Sequence, residues 1–600
     1  MATDSIAAEM PDAEMPRSAQ HHASQFSARR RMLALAIVAL AFVMDLLDST
    51  IVNIAIPSIQ TNLHASYAAI QWLIAGYLLS FATLLITGGR MGDVYGYRRL
   101  FLIGVSGFTL ASLISGLAWS PESLIAARLV QGAMAAFMVP QVMSLMQVMF
   151  NPQERAGVMG LFGALGGLAA TLGPIIGGLL IQWNIAGLDW RPIFLINIPV
   201  GLFALVAGWK VLPPGKSEHP LHLDWMGTLV VVSGLLLLIF PLIQGRELDW
   251  PQWIFVMLAA SLPTFALFAW YERKKDKADG SALIVPSLFK TRTFVTGLGT
   301  NVFFEMLFIG FFLINTLMLQ AGLGYSVIKA ALTGIGFAVG IGLSIGVLGQ
   351  KLLPKFGRNV IFMGIGLMAL GYSGLAWLVS QYGFDVQPLA LTFSLLLAGL
   401  GAGLVMTPIF SVVLMDVDVK HAGSASGVMN ALQQVGGAVG IALIGVLFFG
   451  LISNHASTSA QDEVPSIRTQ LTAAGIPAVA QDPITDQFVQ CFTDRSKQKD
   501  PSETPASCEV KPAAPAAPPL PANLPPAQRA AAEQQIQAAR AAAIAKVGPI
   551  LQGAGKTANM HNFSYAFSWS VAYEVLLLAI LAGLSFLLPR HIKTDGGMGH

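Results

Sequence analysis

The chain is short of charge. Of its 600 residues only 11% are Asp, Glu, Lys or Arg, against roughly 25% in a typical soluble protein, too few to cover a water-soluble fold of this length. The net charge of +3 is small and the basic residues are scattered, which gives no footing to a nucleic-acid partner. Two cysteines exclude a disulfide-rich secreted scaffold and a multi-cysteine zinc or iron–sulfur centre. Histidine is rare within apolar runs, and there is no HExxH, no phosphate-cradling glycine loop and no nucleophile beside a base. An enzyme, a metal site and a bound cofactor are therefore not expected. Without a nucleotide-binding motif, the energy source left for any uphill process is an ion gradient.

Apolar residues make up 54% of the chain, glycine supplies 60 positions, and the mean hydropathy is +0.64. A helix needs about 20 apolar residues to cross a hydrocarbon layer of about 30 Å. Fourteen stretches meet that requirement: 32–56, 67–88, 100–118, 122–147, 156–182, 192–212, 225–244, 252–270, 293–319, 327–349, 359–380, 388–415, 422–452 and 563–588. None alternates as a membrane barrel strand does. The fold class expected is an all-α membrane protein. Residues 1–31 form a polar N-terminus ending in Arg29, Arg30 and Arg31, without the apolar core of a cleaved leader.

Basic residues set the orientation. With the N-terminus inside, inner segments hold 21 Lys and Arg, whereas the short outer loops hold three: Arg191, Arg246 and Lys329. Both termini are expected in the cytoplasm. Six spans occupy 32–212; a pair of spans and a basic loop occupy 213–292; six more spans fill 293–588, followed by a tail, 589–600. A 6+2+6 layout is the pattern of a transporter built from repeated halves. The last six are interrupted by 453–562, a Pro/Ala-rich outer insertion read mainly as tolerated and partly disordered, with a helix at Ala527 to Lys546. Docking of an extramembrane partner is the other use for it. Cys491 and Cys508 lie there and form a disulfide if that compartment is oxidising.

Ionisable residues within lipid are costly, so each is a site candidate. Asp45 and Asp48 share one face of span one at i, i+3. Their like charge and their burial both favour picking up a proton, which suits a proton carrier; the bland reading is two solvated acids in a wet cavity. Arg128 lies about 10 Å below the outer surface and Asp48 about 12 Å, so the two are expected to form an ion pair that protonation of the acid breaks. Glu305 lies near mid-depth in span nine, beside Phe303 and Phe304, and suits either a lipophilic cation or ordinary packing. Asp416 and Asp418, at the inner end of span twelve, read as a solvated face. Glycines from Gly160 to Gly178 smooth span five, and Gly436, Gly437 and Gly440 smooth span thirteen; such spans suit sliding helices or simply close packing.

Four motifs then carry a resemblance. The segment Leu47 to Pro57, with Asp48 and Asn53, resembles the first-helix motif of the fourteen-span drug:proton antiporters of the EmrB/QacA type, within the major facilitator superfamily. Gly88 to Arg99 is similar to the superfamily's loop between helices two and three, with Gly89, Asp93, Gly96 and Arg98 matching and Arg99 following. Arg128 with Gln131 and Gly132 resembles the helix-four motif, and Gly173, Pro174, Gly177 and Gly178 the fifth-helix motif of antiporters. Gln320 with Gly324 to Ser326, and the run Gly423 to Gly440 with Gln434, are lesser matches. Val94 and Tyr97 stand where the latch loop usually has basic residues, so Asp93 must pair elsewhere, with Arg98 as the nearest choice.

The resemblance implies a major facilitator fold in a bacterial cytoplasmic (inner) membrane, exporting amphipathic drugs or toxic compounds against protons by alternating access. It implies proton coupling at Asp48 and Arg128 and a conformational latch at Gly89, Asp93, Gly96, Arg98 and Arg99; Asp45, not a usual family feature, joins the coupling candidates on its position alone, and Glu305, Asn53, Gln131, Asn301 and Gln434 are the expected substrate contacts. A periplasmic membrane-fusion adaptor is a partner some relatives use. The alternatives are a dedicated exporter of one metabolite, such as a fatty acid, siderophore or antibiotic, and a non-transporting membrane receptor or scaffold.

Overall fold

A computed structural model describes residues 27–217, 222–417, 422–498, 504–508 and 526–590, and within them every regular element is helical. Asp418 lies outside the described residues, as does 509–525 of the Pro/Ala-rich run. The first six helices are α1 (Ala28–Leu63), α2 (Tyr67–Tyr95), α3 (Tyr97–Gly116), α4 (Pro121–Met149), α5 (Pro152–Trp183) and α6 (Pro192–Val211). The inserted pair is α7 (Trp225–Gln244) and α8 (Gln252–Asp279). Then come α9 (Arg292–Leu317), α10 (Val327–Phe356), α11 (Asn359–Tyr382), α12 (Pro388–Leu414), α13 (Ala422–Asp462), α14 (Val464–Ala473), α15 (Ala478–Lys497) and α16 (Pro526–Ser585).

Thirteen of these are long and apolar enough to cross a membrane, among the described residues. The stretch read as span five lies within α5, 32 residues long, whose described apolar part is Leu172–Trp183. Lipid offers no hydrogen bonds, so a spanning backbone satisfies itself as helix. The ends are settled locally. Ser66 and Ser120 accept hydrogen bonds from the backbone of Ala69 and Ser123, and Asp224 caps α7 through the Gly227 N–H at 2.9 Å. At Gly96, φ is +100°, a conformation L side chains rarely adopt, and it turns α2 into α3 within one residue.

Helices α2, α3 and α4 pack side by side, as do α10, α11 and α12. The main contacts between the halves are α2 with α13 and α5 with α10, and α1 also touches α9 and α10. α7 and α8 pack on each other, and α7 also touches α2 and α13 where the halves meet. α8 is the least covered of the spans, with Phe255, Val256, Leu262 and Trp270 exposed as a lipid-facing surface requires.

The insertion is largely helical where it is described, and the helix expected at Ala527 to Lys546 lies within α16. α13 runs past 452 to Asp462, and α16 is helical long before 563, because their apolar seam continues beyond the span. Together with α14 and α15 they enclose a separate core of Ala460, Ile467, Leu471, Phe488, Ala554 and Ala558. The described parts of the insertion are thus a small helical domain. Cys491 on α15 and Cys508 are bonded to each other.

Candidate functional site

The i, i+3 spacing on α1 turns Asp45 and Asp48 to the interior of the first six helices, where they are 4% and 1% exposed. Arg128, on α4 and 1% exposed, pairs with Asp48 Oδ2. Arg128 Nη1 also donates to Gln131 Oε1 at 2.7 Å. Gln131 Nε2 in turn donates to Asp48 Oδ1 at 2.8 Å and to Ser112 Oγ on α3 at 2.8 Å. Asn197, from α6, donates to Asp48 Oδ1 at 2.8 Å as well. Asp48 therefore has a cation and two amides around its two oxygens. Asp45 has far less: its described donor is the Tyr77 hydroxyl of α2. The Tyr77 ring lies 4.1 Å beneath the Arg128 guanidinium, a cation–π contact in a dry setting.

Five helices thus converge on one charge pair, and glycine permits it. A Cβ on Gly132 would overlap the Tyr77 carbonyl and Ser80 Oγ, so α2 and α4 could not otherwise approach this closely. Arg128 does not snorkel outward; its charge is matched inside. Gln131, expected at the substrate, is wholly engaged in the Asp48 cluster instead. Asn53 bonds back to the Ser49 carbonyl on its own helix at 3.4 Å.

In the second half, Glu305 is half-buried on α9. Gln433, rather than the expected Gln434, donates to Glu305 Oε1 at 3.2 Å and to Asn301 Oδ1 at 3.3 Å. Asn301 is 1% exposed and its Nδ2 has no partner. Neighbouring aromatics stack in sequence: Phe304 on Phe308 at 5.5 Å, and Phe308 against Phe312 at 5.1 Å and Phe337 at 5.9 Å. A small polar cluster is thus set against an aromatic wall.

At the loop between α2 and α3, Asp93 accepts from the Tyr97 hydroxyl at 3.0 Å. It does not pair with Arg98, which reaches the Trp209 carbonyl at the end of α6. Tyr97 took the position of the usual base and supplies an uncharged donor in its place. Gly89 makes ordinary contact with Pro140, and Arg99 is exposed. Asp416 is exposed and accepts from Thr293 Oγ1 at 2.9 Å. On α5, Gly173 faces Thr50, Gly177 faces Ile51 and Ile54 of α1, and Gly178 faces Ile328 and Ala331 of α10. Pro174 stands half-buried between these glycines.

At the end that carries the insertion, the halves close on each other. Gln320 Nε2 donates to the Ile54 carbonyl at 3.0 Å, and Tyr67 stacks on Phe449 at 4.2 Å beneath Arg246. At the opposite end, Arg90 is 7% exposed and ties α2 to the inserted pair, donating to the carbonyls of Ser281 at 2.7 Å, Ala282 and Leu283.

Sequence reasoning missed Tyr77, Ser112, Asn197, Gln433 and Arg90, and also Glu574 on α16. Asn197 and Glu574 carried a usable signal, each a polar residue within an apolar run. Tyr77, Ser112 and Gln433 carried none, since their residue types are common in spans.

The Major Facilitator Superfamily profile matches residues 38–441. The chain is 37% identical over 568 residues to a protein of Streptomyces coelicolor described as a probable actinorhodin transporter, across 95% of this chain and 93% of that relative. It is 34% identical to the tetracenomycin C resistance and export protein of Streptomyces glaucescens, over 68% of this chain and 74% of that one. Its fold matches the crystal structure of a bacterial homologue of the human lysosomal transporter Spinster, with a TM-score of 0.56, 14% identity, and coverage of 95% of this chain and 100% of that one. Apolar helices in two joined sets, a buried charge pair and these relatives agree: the chain belongs to the Major Facilitator Superfamily, and it is a multi-pass membrane transporter, not an enzyme.

Proposed function

We propose that the chain is a proton-coupled exporter of amphipathic toxic compounds, working by alternating access in a bacterial cytoplasmic membrane with fourteen crossings and both termini inside. On this reading it works as an antiporter of the EmrB/QacA type. No bound cofactor takes part, and the proton gradient supplies the energy. The observation that carries this is the unequal setting of two neighbouring acids. Asp48 has its charge answered by Arg128, Gln131 and Asn197, whereas Asp45, among the described residues, has one phenolic donor and no cation of its own. A proton arriving from outside settles on Asp45 through Tyr77. It removes one of two like charges three residues apart and so changes the field that holds Arg128 on Asp48. Because the Tyr77 ring also carries the Arg128 guanidinium, both acids act on one cation.

Substrate meets the Glu305–Asn301–Gln433 cluster and its aromatic wall, a setting for a flat apolar body with a donor or cationic end. Gly178 of α5, with Gly437 and Gly445 of α13, lies on the sliding surfaces between halves, closed here at the outer end. In everted vesicles with an imposed pH gradient, uptake of ethidium is expected to be driven by the gradient and lost in Asp45→Asn and Asp48→Asn. Wild-type rates in both variants would remove this coupling scheme.

A second reading, export of one dedicated metabolite, is favoured by the match to a probable actinorhodin transporter along nearly the whole chain, insertion included. A substrate panel separates them: a dedicated exporter ignores most amphipathic dyes and moves one compound class.

A further inference from the structure

Glu574 sits in the apolar run of α16, 1% exposed, and belongs to neither cluster above. Its carboxyl reaches into the seam between α9 and α13. A Cβ built on Gly310 would lie 3.2 Å from Glu574 Oε1, with Ile444 and the Gly440 carbonyl beside it. Glu574 Oε2 has no hydrogen-bond partner among the described residues. A second orphan lies within electrostatic reach: the Tyr372 hydroxyl of α11, which is buried and unpartnered. The Tyr372 ring stacks at 3.9 Å on Phe311, the residue after Gly310.

The titratable groups around Glu574 are few. α11 presents Tyr372, α16 itself Tyr573, and α9 Glu305, five residues before Gly310 and about 7.5 Å along the axis. α13 presents Gly440 and Ile444 there. No ion pair among the described residues includes Glu574. A bare carboxylate in such a seam must draw in water or a cation, whereas a carboxylic acid can stay dry. The space for it is specific, since the side chain at 310 is absent and Gly440 lets α13 lie against the Met306 backbone. On its other face α13 meets the first half, with Gly437 beside Leu78 and Gly445 beside Gln71 of α2. A charge appearing at Glu574 therefore loosens the helix shared by both halves.

We propose that Glu574, with Tyr372, is a second proton-binding site, so that each half of the transporter carries an exchangeable proton of its own. This rests on the proton-coupled reading above. The step is a single O–H bond formed on the carboxylate with a proton from the outer side and broken toward the inner side, with no electron transfer.

The test is pH-difference infrared spectroscopy of the full-length protein in lipid, following the C=O stretch of protonated carboxyls. One component of the wild-type band is expected to vanish in Glu574→Gln, to persist in Asp45→Asn and Asp48→Asn, and to shift in Tyr372→Phe. Gly310→Val, which fills the seam while keeping Glu574, is expected to displace the same component. An unchanged spectrum in Glu574→Gln overturns the proposal. So does a component that never titrates between acid and alkaline pH, since a proton that does not leave is not carried. Should wild-type vesicles show no pH-driven ethidium flux, the coupling reading falls whatever the spectra give. Should that flux be present while the Glu574→Gln spectrum equals wild type, only the second site falls.

Discussion

Arg128 is the residue on which the first half turns. Its guanidinium holds Asp48, Gln131 and the Tyr77 face at once, within a setting that excludes water. Removing one member of a buried pair strands the other charge, at a cost of about 3–5 kcal/mol. Arg128→Met is therefore expected to lower the unfolding temperature in detergent sharply. Arg128→Met combined with Asp48→Leu should recover most of that loss, because neither charge is then stranded, while transport stays absent. Arg128→Lys keeps the charge but not the flat guanidinium that lies on the Tyr77 ring, so it should hold stability better than Met yet slow flux. The two acids and the base of this cluster were legible from sequence, because charge in an apolar run is conspicuous and depth follows from 1.5 Å per residue. Ser112 and Tyr77 were not, and Asn197 showed only as a polar residue within an apolar run. Asn197 and Tyr77 reach the acids, and Ser112 the amides beside them, only because α6, α2 and α3 converge there.

At the scale of helices, glycine decides which pairs touch. Gly132 has no room for a Cβ, whereas Gly450 has nothing within 4 Å. Gly132→Ala should separate α2 from α4 and weaken the Asp48 cluster, lowering both unfolding temperature and flux. Gly450→Ala should leave both near wild type. Gly173→Val should push α5 off Thr50 of α1 and stop transport with little loss of helix by circular dichroism. The glycine stripe on α5 was visible in the sequence, but not its division of labour. Gly173 and Gly177 face α1 of the same half, and Gly178 faces α10 of the other. The periodicity of small residues says that a helix is approached closely and not by which neighbour. The latch loop fared similarly. Its glycines and Asp93 could be read, but the tyrosine that answers Asp93 carries no charge to betray it.

For the whole molecule, closure at one end is the testable statement. Gly178 and Ile328 face each other across the two halves. A cysteine pair at those positions, in a chain whose Cys491 and Cys508 are already bonded, should crosslink under mild oxidation and block flux, with recovery on reduction. The native Cys491–Cys508 bond closes a short loop, for which the chain-entropy estimate is about 3 kcal/mol. Its loss should destabilise the small helical domain, read as faster proteolysis there, while the membrane helices and pH-driven flux persist.

The sequence by itself determined the class of the molecule. A chain this poor in charge and this rich in apolar runs finds cover for its apolar surface only in lipid, and runs of about 20 apolar residues cross lipid as helices that satisfy their own backbone. Only the tertiary structure decided partners: that Gln433 rather than its neighbour meets Glu305, that the insertion has a core, and that Glu574 lies in a seam opened by Gly310. Length and hydropathy are sums over neighbours in the chain, whereas a hydrogen bond between α1, α3, α4 and α6 depends on where distant helices come to rest.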